Sequence, residues 1–350
     1  NYEVLVMDDG SDDRTPEILH SMQTKYSRLR VIRIEQNQGK AHAFNIGLFF
    51  AKGEYILSND ADTIPETDAL IKYMQYFTSA NGINYAAITA NMDVYNRSSL
   101  WGKSQTVEFS SIVGIIKRSQ TAINNTMYAY SGANTMYRRD FLINVGGFRQ
   151  DRATEDISIA WDHTFINATP KFAPDIVFHM NVPETFHDLY RQRKRWAQGG
   201  SEVWLSNFLK VFRHPWQYRF VIPMLTDTTL SIIWSSFFWI TSIIFIITML
   251  SFAITGNYER VWHGIVMSMV FVNFQLIAGL FQVLAALILD FNGSKLRYLM
   301  FSPLYLLFTW IVNPLTIVTT FHKAIKTVTG HGSGKWISPE RKVVDNNGKF

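Results

Sequence analysis

Three long stretches without a single Asp, Glu, Lys or Arg mark the second half of the chain: Thr228–Tyr258, Gly264–Leu289 and Tyr298–Phe321. Each exceeds the ~20 apolar residues that carry a helix across about 30 Å of hydrocarbon. A core helix of a water-soluble domain keeps a polar face, and these runs have almost none, so they are predicted to insert into a lipid bilayer. Charged residues are frequent up to Asp227, which puts a large polar domain ahead of the membrane region. Cysteine is absent, and that excludes disulfide staples, thiolate metal sites and a thiol nucleophile.

Orientation follows from the basic residues beside the spans. Arg191, Arg193, Lys194, Arg195, Lys210, Arg213 and Arg219 precede the first, Lys295 and Arg297 separate the second and third, and Arg260 with Glu259 lies between the first two. The polar domain is therefore expected on the cytoplasmic side of a cell membrane, in a multi-pass protein. Three crossings would put the basic tail (Lys323, Lys326, Lys335, Arg341, Lys342) outside, against the same rule. Either the third stretch, interrupted by Pro303 and Asn313-Pro314, re-enters or crosses twice, or the tail is an exception. The net charge of +5 concentrates beside the membrane and not along a free face, which argues against nucleic acid as a partner.

The chain opens directly on a strand-like run, Tyr2–Met7, without an initiator methionine or signal peptide, so upstream chain is expected. Thr15-Pro16 then opens a helix pattern, and Leu29–Ile34 reads as a second strand. A helix over Lys40–Ala51 is expected to close at Gly53 in the left-handed conformation, before a strand at Glu54–Ser58. This alternation predicts an α/β domain with a parallel sheet covered by helices on both faces and ligands at the carboxyl ends of its strands. The expected division is a polar α/β domain over 1–200, an interfacial amphipathic helix over 201–220, transmembrane helices over 221–322 and a basic tail over 323–350. The interfacial segment rests on Trp204, Phe208, Phe212 and Trp216, spaced by four, with Lys210, Arg213 and Arg219 nearby. A buried aromatic stripe is the competing reading.

Acidic clusters stand at the strand ends: Asp8-Asp9-Gly10-Ser11 after the first and Asn59-Asp60-Ala61-Asp62 after the third. A single cluster of this kind is as often a turn former, but two on one sheet edge point to a ligand. Asp-x-Asp can aim two carboxylates at one region, where a divalent cation relieves their repulsion. Hard oxygen ligands suit Mg2+ or Mn2+, with a nucleotide diphosphate completing the coordination sphere. Neither a P-loop nor a G-x-G-x-x-G fingerprint is present, which argues against a P-loop NTPase and a dinucleotide oxidoreductase. Thr154-Glu155-Asp156 precedes the apolar run Ile157–Phe165 and reads either as an acidic first helical turn or as a cleft carboxylate able to deprotonate an acceptor hydroxyl. Gln192, Arg195 and Trp196 fall within about one helical turn, so an amide, a cation and an aromatic plate can face one ligand.

Taken in order, Asp8-Asp9-Gly-Ser, Asn37-Gln-Gly-Lys40, Asp60-Ala-Asp62, Thr154-Glu-Asp156 and Gln192-Arg-Lys-Arg195-Trp196, followed by membrane spans, resemble the processive inverting glycosyltransferases of family 2, which include cellulose, chitin and hyaluronan synthases. The resemblance covers nearly the whole chain and implies a GT-A, Rossmann-like catalytic domain with interfacial and transmembrane helices behind it. It implies that Asp8 and Asp9 contact the uridine of the donor with Lys40 beside it. Asp60 and Asp62 would bind the diphosphate, Asp62 as the more direct metal ligand. Asp156 would be the general base, Gln192, Arg195 and Trp196 would hold the acceptor end and the diphosphate, and Ser131-Gly132-Ala133-Asn134 matches an acceptor-side segment. The wording around the motifs, with Trp336-Ile-Ser-Pro-Glu-Arg341, is similar to that of family members that polymerise N-acetylglucosamine into a biofilm exopolysaccharide. That implies UDP-GlcNAc as donor, a growing polysaccharide as acceptor and, as a further partner, a small membrane accessory subunit. The alternatives are another synthase of the family, a non-processive transferase acting on a lipid carrier, and a membrane receptor or channel that binds a nucleotide-sugar without turnover.

Overall fold

A computed structural model describes residues 1–331, so Lys335, Arg341, Lys342 and the Trp336–Arg341 segment lie outside the described residues. The strands β1 (Val4–Asp9) and β2 (Leu29–Ile34) pair in parallel, Val4 opposite Leu29 and Asp9 opposite Ile34, connected by α1 (Thr15–Lys25) with Pro16 in its first turn. α2 (Lys40–Phe50) follows, as the apolar pattern predicts. Its end differs from expectation: the chain leaves the helix through Ala51 in an extended conformation, and Gly53 is not among the residues of positive φ. The cause is a tether, because the Lys52 amide donates to Glu3 Oε1 at 2.7 Å and draws the chain straight into β3 (Tyr55–Asn59).

The remaining strands are β4 (Thr63–Pro65), β5 (Tyr85–Val94), β6 (Asn134–Arg138) and β7 (Thr169–Met180), which with β3 form a sheet in the order β3-β6-β5-β7-β4. The expected single parallel sheet is thus divided: β1 and β2 form a two-stranded sheet of their own and the other five strands a mixed one, so the two acidic clusters end strands of different sheets and not of one edge. β1 with β2 and β5 with β7 run parallel, whereas β6 lies antiparallel between β3 and β5. Periodicity reveals strands but not their partners, and β6 arrives after a long excursion through α4 (Leu100–Ser111), a π-helical turn at Ile112–Lys117 and α5 (Arg118–Asn124). α3 (Ala69–Thr78), α6 (Arg139–Asn144) and α7 (Glu155–Phe165) complete the domain.

Both faces of the sheet are covered. Tyr73 and Phe77 of α3 pack on Ile88, Ala90, Met136 and Phe178. On the other side Ile159 and Ala160 of α7 and Phe109 of α4 pack with Ala87, Met92 and Tyr137. Ala90 and Met92 share a parity in β5 yet lie in different cores, because the register slips between Ala90 and Asn91 and a bulge turns the following side chains over.

α8 (Phe186–Arg213) is one continuous helix, so the expected division between 200 and 201 falls inside it. Of its aromatic line, Trp204 turns inward, donating its indole N–H to Thr229 Oγ1 at 2.8 Å, while Phe212 is exposed. Trp216, beyond the end of the helix, is exposed as well. A single buried stripe does not describe these four rings.

Among the described residues three helices are long and apolar enough to cross a membrane: α9 (Ile222–Ile254), α10 (Tyr258–Leu289) and α11 (Ser302–Lys326), the last two with short helical extensions. α11 is unbroken. Pro303 sits in its first turn, and the helix runs through Pro314, where the Thr316 hydroxyl donates to the Asn313 carbonyl at 2.7 Å. The expected interruption at Asn313-Pro314 does not occur. The turn between α10 and α11 docks on the sheet: Lys295 Nζ lies 2.8 Å from both Asp290 and Asp93, and Asn91 and Ser110 also donate to the Asp290 carboxylate. Burial works against ionised Asp93, but Lys295 and Arg97 outweigh it and hold its carboxyl below the usual range.

Candidate active site

The site forms where β3 ends and β6 begins. Asn59 pairs with Asn134, so Asp60, one residue past β3, faces the Ser131–Asn134 segment that leads into β6. Lys40 fills the space between them, its Nζ 2.7 Å from Asp60 Oδ1, 2.9 Å from Glu155 Oε1 and 3.2 Å from the Gly132 carbonyl oxygen. The first acidic cluster sets where Lys40 stands. Both oxygens of Asp9 accept backbone hydrogen bonds, from Gln38 at 3.1 Å and Gly39 at 2.8 Å, which fixes the loop that opens α2 with Lys40 as its first residue. Gly10, with φ +74°, allows this approach, since a Cβ there would come within 2.8 Å of the Asn37 nitrogen.

Asp8 is buried, with Oδ1 accepting from the Ser11 amide at 2.9 Å and Oδ2 3.6 Å from Arg33. Asp8 and Asp9 thus reach the Lys40 cluster through the loop and not by direct contact. Asp62 accepts from the Thr63 hydroxyl at 3.3 Å.

Glu155 and Asp156 open α7, where the helix dipole favours carboxylates. Asp156 Oδ1 accepts from the Ile157 amide at 2.9 Å and Oδ2 from the Gly132 amide at 3.2 Å. The two acids are pushed in opposite directions. Burial opposes ionisation of Glu155, but Lys40 and then Arg195 overcome it and keep this carboxyl below its ordinary value. For Asp156, burial and the neighbouring Glu155 charge outweigh Lys40, Arg195 and Lys117 and raise it. Paired acids displaced in this way are a recurrent source of a carboxylate basic enough to take a proton.

α8 closes the other side. Arg195 acts electrostatically on both acids, Trp196 packs against the core that contains Met92 and Tyr130, and Gln192 has a buried Oε1 without a hydrogen-bond partner. The helix approaches α7 at Gly199, where a Cβ would fall 2.0 Å from Thr154 Oγ1. Gly199→Ala must therefore displace the turn carrying Asp156. We expect at least a hundredfold fall in turnover with the protein still accumulating in membranes, on the order of the loss from an ångström of misplacement; a sugar-transfer assay on purified variant checks it.

Sequence reasoning brought Lys40, Asp60, Asp156 and Arg195 to one region, and the structure joins them. It did not anticipate Glu155 as the partner of Lys40, nor Lys117, a buried lysine ending the π-helical turn, whose amine burial pushes down to about 8 against the opposing charge of Asp156. A helical insertion of this kind leaves no mark in residue pattern. Among the described residues no three His, Asp or Glu side chains form a metal cage by themselves. Asp60, whose side chain is 38% exposed, and Asp62 stand one residue apart just past β3, a donor set of one or two carboxylates of the kind that holds divalent cations together with substrate phosphates.

The fold is that of the GT-A glycosyltransferases. It is shared with a mannosyltransferase from Pyrobaculum calidifontis in complex with GDP-Man and Mn2+, at a TM-score of 0.55 and 18% identity over 92% of this chain and 77% of that one. The glycosyl transferase family 2 model matches residues 1–146. The poly-beta-1,6-N-acetyl-D-glucosamine synthase of Staphylococcus epidermidis is 32% identical over 346 residues, covering 97% of this chain and 80% of that protein. The synthase of the same name from Staphylococcus aureus strain COL is 30% identical over 344 residues, with the same coverage. The chain belongs to glycosyl transferase family 2.

Proposed function

We propose that this protein is a membrane-embedded, inverting, processive synthase that polymerises N-acetylglucosamine from UDP-GlcNAc into a β-linked exopolysaccharide, a biofilm-matrix polymer. Its catalytic domain faces the cytoplasm of a bacterial cell and synthesis is coupled to export through the membrane helices. The observation that carries this reading is the convergence of Lys40, Asp60, Glu155 and the Gly132-bound Asp156 at one sheet edge, beneath a helix that carries Gln192, Arg195 and Trp196. The choice of sugar is supported by the names and extent of the two staphylococcal relatives.

In this reading Asp156 takes the proton from the terminal hydroxyl of the growing chain, and that oxygen attacks the anomeric carbon from the face opposite the nucleotide. The carbon–diphosphate bond breaks, configuration inverts, and Arg195 meets the charge left on UDP. Asp8 and Asp9 support the uridine end, while Trp196 and Gln192 hold the acceptor sugar. Asp60 and Asp62 would hold a divalent cation together with the diphosphate, and it would supply further neutralisation of the leaving group.

Membranes containing the protein, supplied with UDP-GlcNAc and Mg2+ or Mn2+, are expected to release UDP and form a polymer of N-acetylglucosamine alone. Chelation with EDTA should suppress UDP release by at least a hundredfold, reversed by either metal. Linkage and composition analysis of the product is the check; UDP release with no polymer, or a polymer of another sugar, contradicts the proposal.

A further inference from the structure

Beneath the acceptor side lies an ion pair that no part of the mechanism uses. Glu108 of α4 and Arg193 of α8 are 5% and 4% exposed, and Oε2 meets Nη2 at 2.7 Å. Nε and Nη1 of Arg193 have no hydrogen-bond partner. A pair buried this way, with two donors left unmet, contributes little to stability compared with apolar residues of similar volume. What the guanidinium does meet is a ring: its carbon sits 4.1 Å from the centre of Trp196, within cation–π range. On the far side, Val107, next to Glu108, packs with Val283 and Leu287 of α10 and Tyr305 and Leu306 of α11. The chain of contacts thus runs from the membrane helices through α4 to the face of Trp196.

We infer that Glu108 and Arg193 are positioning residues: Glu108 holds the Arg193 guanidinium over the Trp196 ring and thereby sets the position of the plate on which the acceptor sugar is seated, in register with the spans. The inference rests on the reading of Trp196 as the acceptor plate. Glu108 fixes one edge of the guanidinium, Arg193 covers one side of the ring, and the half-buried indole keeps the rest for its ligand.

Three variants of the full chain test it: Trp196→Ala, the double substitution Glu108→Leu with Arg193→Met, and Arg193→Lys. The double substitution removes both charges together, so neither is left buried alone. UDP affinity by calorimetry, turnover and polymer length are measured for each. We expect the double variant to bind UDP within about twofold of wild type but to make chains shorter by about tenfold, as Trp196→Ala does. Combining it with Trp196→Ala should add nothing, since both act on one plate. Arg193→Lys keeps a charge for Glu108 but loses the planar group, and chains should again shorten. Wild-type chain length in the double variant overturns the inference and leaves the pair a structural brace. If the double variant does not accumulate, Arg193→Lys decides in the same way. Unchanged chain length in Trp196→Ala overturns the acceptor-plate reading itself, and with it this inference.

Discussion

Asp156→Asn is expected to leave the protein folded in the membrane, able to bind UDP, and without measurable polymerisation, a loss of about 10³-fold or more. Asp156 serves the Ile157 amide with one oxygen and the Gly132 amide with the other, and asparagine keeps an oxygen for one of them, so the turn at the start of α7 should survive at a cost of about 1–3 kcal/mol. What disappears is the acceptor for the hydroxyl proton. The same assignment has a pH signature. Because burial and Glu155 raise the Asp156 carboxyl, turnover should rise with pH through a value above 3.8 and fall as acid protonates this group. The neighbouring pair titrates on the other side. Glu155 is held below its ordinary 4.5, so its ion pair with Lys40 contributes stability above that pH and loses it only as pH falls through the lowered value. Acid should therefore stop turnover before it loosens the site, which initial rates and the thermal midpoint measured over one pH series separate. Near-normal polymer from a folded Asp156→Asn protein, or loss of structure ahead of activity, contradicts the role given to Asp156.

Much of this arrangement is legible in the chain itself, and the reasons are local. Leu29–Ile34 and the helix from Lys40 are marked by apolar runs that are complete within a few positions, and both begin where the pattern puts them, although the helix does not end at the glycine expected to close it. The spans are legible because hydrocarbon tolerates almost no charge along a helix. What escapes is non-local. Nothing in Asn134–Arg138 tells that it lies antiparallel between β3 and β5, since alternation specifies faces and not neighbours. The pairing of Glu155 with Lys40 joins positions that only the assembled sheet edge brings together, and the same holds for Glu108 and Arg193. Asp9 is the instructive case: a residue chosen for its charge spends both oxygens on backbone amides, and its effect on the site passes through the position of Lys40.

Lys40→Met should affect both stability and chemistry, because this one cation answers several acids. Removing it leaves Glu155, almost fully buried, without its ion-pair partner, and the cost of such an orphaned charge is about 3–5 kcal/mol. Burial works against a charged Lys40, yet Glu155 and Asp60 outweigh it and raise its amine, so the residue is a fixed positive charge at any pH where the enzyme works. Without it Glu155 has Arg195 as its remaining source of compensation among those that now lower it from other residues. Protonation then becomes the cheaper state for one of the two adjacent acids, and a proton shared between Glu155 and Asp156 weakens the base as well. We expect Lys40→Met to lower the thermal midpoint and to reduce turnover by at least a hundredfold, with the pH limb of the residual activity moved upward, because the charge that favoured ionised carboxylates has gone. Lys40→Arg keeps the charge and should restore stability more fully than turnover, since the planar fork cannot reproduce contacts at 2.7, 2.9 and 3.2 Å to Asp60, Glu155 and Gly132 together. A Lys40→Met protein with wild-type stability and an unmoved pH limb would show that the acids are neutralised by other groups, and the electrostatic account of Asp156 would have to be rebuilt around Arg195 and Lys117.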